Sequence, residues 1–153
     1  MDAARRKESL DWIGFLNFGT FVILLGFIWI STPNLGDKVI NFFEDLHIIE
    51  VSSNVFLPAP VQNHPALYKA AANFALLFGA FQMIILGLKI LFGDSLGGKI
   101  DTVSGMVFWL VLSLLLNMLA NGSIGWFSFM GGFLICIGLS IVVGSGLRLF
   151  RRT

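Results

Sequence analysis

The chain has 153 residues, 56% of them hydrophobic and 12% charged, with a formal net charge of +1. Soluble domains carry about 25% charged residues, so a water-soluble fold of this size could not hide this much apolar side chain, 16 phenylalanines included. That excludes an ordinary soluble domain, and no nucleic-acid partner is expected.

Four apolar runs stand out, at about 10–31, 66–91, 102–120 and 124–147. A membrane-spanning helix needs roughly 20 residues, so each run is long enough to cross. The pattern predicts an all-α integral membrane protein: one membrane domain over 1–153, a four-transmembrane-helix bundle with an external segment at 32–65. Lys and Arg in the flanks set orientation. Arg5, Arg6, Lys7, Lys89, Lys99, Arg148, Arg151 and Arg152 fall on one side, and only Lys38 and Lys69 on the other. The expected topology is therefore multi-pass, N-in and C-in, with both termini cytoplasmic. Arg5, Arg6, Lys7, Arg148, Arg151 and Arg152 become membrane-surface basic residues, able to lie against anionic lipid headgroups. The first run is too long for a signal-peptide core and no small-x-small site follows it, so it reads as a retained helix.

In the first run, Gly19 and Gly26 lie seven apart on one helix face, and Asn17 points roughly the opposite way. The external segment then repeats Leu35, Val39, Phe42, Phe43, Leu46 and Ile49 at helical spacing, with Asp37, Asn41, Glu44 and Asp45 on the other side. This predicts an external amphipathic helix between helices 1 and 2 that caps the bundle; its acidic polar face argues against anionic lipid as its target. Residues 51–62 read as extended because Pro58 and Pro60 exclude helix, with a short hairpin pairing 48–51 with 55–57.

Pro65 suits the first position of the second span. Ala71, Ala75 and Gly79 form a small-residue ridge there, and Gln82 points the same way as Ala75, into the bundle. Residues 92–100 read as a glycine-rich turn. Gly93 to Lys99 approaches phosphate-loop spacing, but Ile100 stands where a hydroxyl must hold magnesium and no strand precedes it. The third span is expected after Asp101 and Thr102. It presents Trp109, Ser113, Asn117 and Asn121 on one ridge, and Asn121-Gly122-Ser123 closes a tight turn.

The last span places Ser128, Gly132, Cys136, Ser140 and Gly144 four apart, with a second small-residue face at Gly131, Gly138 and Ser145. Small residues let membrane helices approach closely. Two such faces suit two neighbours, the second within the chain, in a second copy of it (a homo-oligomer) or in a partner membrane protein.

Ionisable groups at membrane depth are costly and mark function; no Asp, Glu, Arg or His lies at depth in a span here, and Lys69 and Lys89 stand at span ends. His47 and His64 are external and 17 positions apart, and no general acid-base pair, nucleophile set or metal-ligand cluster can be assembled. The reading is a non-enzymatic protein without cofactor or metal, a structural or accessory subunit acting through helix packing and its external segment. The alternative is a small channel or transporter for a neutral or weakly polar solute, lined by the inward polar residues Asn17, Gln82, Ser113 and Asn117.

Overall fold

The computed structural model describes residues 2–149, with side chains from Trp12 onward. The element order is α1 (Asp2–Ser31), α2 (Leu35–Glu44), β1 (Leu46–Ser52), β2 (Val55–Pro60), α3 (Pro65–Leu91), α4 (Leu96–Ala120) and α5 (Trp126–Leu149). Trp12–Ser31 of α1, together with α3, α4 and α5, are long and apolar enough to cross a membrane. The outward side chains are correspondingly greasy: Phe15 is 76% exposed and Ile30 86%. Such a surface aggregates in water and is satisfied by hydrocarbon.

Helix ends follow their local chemistry. Pro65 opens α3, where the missing N–H is not needed. α4 starts at Leu96, six positions before the expected boundary, because the Ser95 hydroxyl caps it by accepting from the Gly98 amide at 3.0 Å. The expected glycine-rich turn therefore contracts to Phe92–Ser95, with Gly93 at a φ of 68° making the bend. Gly97 and Gly98 belong to the first turn of α4. At the other end of α4, Gly122 at a φ of 71° reverses the chain into α5, and the Gly122 and Ser123 amides donate to Leu119 and Met118 carbonyls.

The segment between α1 and α3 contains the expected hairpin, longer than expected, and a correspondingly shorter helix. The helix ends at Glu44, and Leu46 and Ile49 lie in a strand instead. β1 and β2 pair antiparallel, Leu46 opposite Pro60, Ile48 opposite Pro58 and Glu50 opposite Phe56, with an irregularity before Ser52 meets Val55. Asn54, at a φ of 67°, supports the turn. β-branched residues through 48–55 favour strand over helix, and two-strand pairing satisfies their backbone groups at both ends of the segment. Along α2, Leu35 is buried against Ile28 and Ala70, and Val39 packs on that cluster. Phe42 packs on Tyr68, Leu119 and Ala120, while Asp37, Asn41 and Glu44 are exposed.

The spans pack in the order α1–α3–α4–α5, each antiparallel to its neighbour. Contacts fix the directions: Asn17 meets Gln82 and Ile28 meets Ala70; Ser113 meets Ala72, and Lys69 meets Asn117; Ser140 meets Ser104, and Arg148 meets Asp101. The two ends of the described chain thus share one end of the stack, opposite α2 and the hairpin. We call these the terminal end and the hairpin end.

The α3–α4 seam is closest at Gly79, where an added Cβ would lie 3.0 Å from Leu110 Cδ2 and 3.2 Å from Trp109 Cβ. Gly79→Val should lower unfolding stability in detergent by about 1–3 kcal/mol through overpacking. Gly87→Val, with nothing within 4 Å of its Cβ, should shift it by less than about 0.5 kcal/mol.

Candidate functional site

The four polar residues expected to point inward form two separate hydrogen-bonded sets. Gln82, 6% exposed, donates through Nε2 to Asn17 Oδ1 at 3.1 Å and ties α3 to α1. Toward the hairpin end, the Ser113 hydroxyl donates to the Ala72 carbonyl at 2.8 Å, across the α3–α4 seam. Asn117 donates to the Ser113 carbonyl at 3.0 Å and accepts from Lys69 Nζ at 2.6 Å. Lys69 thereby joins the set as a cation at the end of a span, where its stem covers apolar surface and its head finds a partner.

An aromatic layer lies between the two sets. Phe21 of α1 meets Phe74 and Phe78 of α3 edge-on, with ring centroids 5.2 and 5.4 Å apart. Trp109 of α4 meets the same two rings at 5.7 and 5.2 Å. Gln82 and Ala72 are ten positions apart, roughly 15 Å along a helix, and this layer fills the interval. The polar groups are fasteners on either side of a packed aromatic block.

The α4–α5 seam is built from the small residues of the last span. Gly132 faces Leu115, and Gly144 faces Ser104 so closely that an added Cβ would stand 2.6 Å from the Ser104 hydroxyl. The fully buried Cys136 thiol lies 3.2 Å from the Phe108 carbonyl, and the Ser140 hydroxyl donates to the Ser104 carbonyl at 3.0 Å. Ser128 is exposed. The second face is open, with Gly131, Gly138 and Ser145 exposed and nothing within 4 Å of a Cβ on either glycine. Gly19 and Gly26 are likewise uncrowded, because Asn17, on the other side of α1, is what faces α3.

At the hairpin end, Asp45 organises the junction of α2, the hairpin and α3. Its Oδ2 accepts from the Gln62 amide at 2.7 Å and lies 2.9 Å from His64 Nε2. The Gln62 amide, and after it His64, hold the Asp45 carboxyl below its ordinary value. Phe42, Tyr68 and Trp126 surround the junction; the Phe42 ring stands edge-on to His64 and Tyr68 at 5.5 and 6.1 Å and 5.8 Å from Trp126. Trp126 Nε1 donates to the Pro58 carbonyl at 3.0 Å, pinning β2 to α5. Beyond this root the hairpin is apolar and uncovered, with Ile48 75% and Phe56 59% exposed.

Of the basic residues, Arg148 pairs with Asp101 at 2.6 Å; the side chains of Arg5, Arg6, Lys7, Arg151 and Arg152 lie outside the described residues. Sequence reasoning passed over Asp45, Lys69, Asp101, Ser104 and Trp126. Asp45 reads from the sequence as part of the external helix's polar face, and 19 positions separate it from His64. Asp101 and Arg148 are 47 apart, and only the antiparallel α4–α5 pairing brings them together. Among the described residues no group of three or more His, Cys, Asp or Glu could hold a metal ion.

These features define a small helical membrane protein with a hairpin-bearing segment at one end. No family model, curated protein or solved structure matches the chain.

Two predictions follow the geometry. Gln82→Leu and Asn17→Leu should each destabilise the protein in detergent, and the double variant by less than their sum. The coupling should be about 0.6 kcal/mol and at most about 1.7. For Asp45, the lowered folded value means its stabilisation is complete above the titration of an unfolded carboxyl, near ~3.9. It is lost as pH falls through the folded value. Acidification below about pH 4 should therefore loosen the root and red-shift tryptophan emission; the Asp45→Asn protein should lack that component.

Proposed function

We propose that this chain is a non-enzymatic structural or accessory subunit of a membrane assembly. Its spans form the anchor and its hairpin-bearing segment the working surface. Both termini are cytoplasmic and α2 with the hairpin is external, as the asymmetry of basic residues requires. On this reading α2 is an amphipathic cap on the spans, holding the hairpin upright on their external end.

The observation that carries the reading is the contrast between committed and uncommitted groups. Gln82, Asn17, Ser113 and Asn117 spend their hydrogen bonds fastening helices, and aromatic rings separate the two sets. A solute pathway would need those groups joined and open to water. The hairpin instead leaves Ile48, Val51, Val55 and Phe56 exposed, apolar surface of the kind that marks protein contacts. The open face of α5 suits a second copy or a partner's helix.

The test has two arms. A photo-crosslinking residue at Phe56 should give one discrete adduct with a membrane protein in native membranes, and the same residue at Asp37 should not. Purified protein in liposomes should pass urea or glycerol no faster than empty vesicles. Solute flux that disappears in Gln82→Leu would overturn the proposal in favour of a channel.

A further inference from the structure

The terminal end of the α4–α5 seam opens into a cleft of about 250 Å³, lined by Asp101, Ser104, Ser140, Gly144, Ser145 and Arg148. Its composition is unlike the rest of the seam. A cation and an anion stand at the mouth, 2.6 Å apart and each more than half exposed. Serine hydroxyls descend from them, and Ser140 and Arg148 are eight positions apart, roughly 12 Å along α5. Ser104 Oγ is buried there without a hydrogen-bond partner, the one such side-chain atom among the described residues. That hydroxyl is closed against Gly144, so the groups the cleft presents to its mouth are the charge pair and the outer serines.

We propose that this cleft holds the headgroup of a zwitterionic phospholipid bearing a primary ammonium. Arg148 has five N–H donors and spends one on Asp101, leaving a fork for a phosphate oxygen. The Asp101 carboxylate keeps acceptor sites for an ammonium N–H. The charge pair is net neutral, so it complements a headgroup that is also net neutral and oppositely arranged. An anionic headgroup has no ammonium to offer Asp101, and a quaternary ammonium has no N–H to give it. The serines of the cleft lie on the span side of the charge pair, where a bound lipid would place its glycerol esters. The site lies at the opposite end from the hairpin and does not depend on what the hairpin does.

Native mass spectrometry of the delipidated protein in detergent tests it, with phosphatidylethanolamine, phosphatidylglycerol and phosphatidylcholine added separately at equal concentration. Phosphatidylethanolamine should be retained several-fold more than the other two. Arg148→Gln should reduce it to the phosphatidylcholine level, and Asp101→Asn should erase the preference over phosphatidylcholine. Ser145→Leu, which narrows the cleft without touching the charges, should lower occupancy as well; it carries the test if a charge variant fails to fold. Phosphatidylglycerol bound as well as phosphatidylethanolamine, or an Arg148→Gln protein that retains full occupancy, would refute the proposal. Displacement of the lipid by millimolar inorganic phosphate would reassign the site to a soluble phosphate compound and overturn the lipid source.

Discussion

The structure depends on short donors reaching the backbone of a facing helix. Lipid tails are as apolar as leucine, so burial gives membrane helices little reason to associate, and packing and interhelical hydrogen bonds must supply it. Here Ser113 reaches the Ala72 carbonyl and Ser140 the Ser104 carbonyl, with the Cys136 thiol against Phe108 O. Side chains this short bridge two helices only when the backbones lie close, and that closeness is supplied by Gly79 on one side of α4 and by Gly132 and Gly144 on the other. α4 receives both seams and is the member on which α3 and α5 are assembled.

The sequence made the spans legible because lipid imposes a constraint on length and polarity that four separate runs satisfy. It also placed Gly132, Cys136, Ser140 and Gly144 on one face, since the four-residue repeat is the helix period itself. Junctions were harder. The start of α4 turned on whether Gly97 and Gly98 close a turn or open a helix, and the Ser95 cap decides it. The run at 46–49 fits helical and strand spacing alike, so the hairpin was legible over 48–51 and 55–57 but not its extension to Leu46 opposite Pro60. Which polar residues meet was not legible at all. Asn17 and Gln82 are 65 positions apart, and only the packing order α1–α3–α4–α5 chooses Gln82 as the partner of Asn17.

The two ends of the molecule differ in kind. At the terminal end an ion pair, Asp101–Arg148, stands exposed at the mouth of a seam that buries the Ser104 hydroxyl. At the hairpin end the polar groups are well provided for: Asp45 serves the Gln62 amide and His64 together, and Asn117 serves Lys69. What lies unused there is apolar. An exposed charge pair at one end and exposed apolar side chains at the other suit different kinds of neighbour.

The fastening of β2 to α5 has a consequence for how the hairpin meets another chain. Pro58 and Pro60 have no N–H to offer, and the Pro58 carbonyl is already taken by Trp126. Strands carrying proline make poor templates for a further strand. β1 contains no proline, and alternate residues along it turn their amides and carbonyls away from β2. Any extension of this sheet by a further strand is therefore one-sided, along β1 rather than β2.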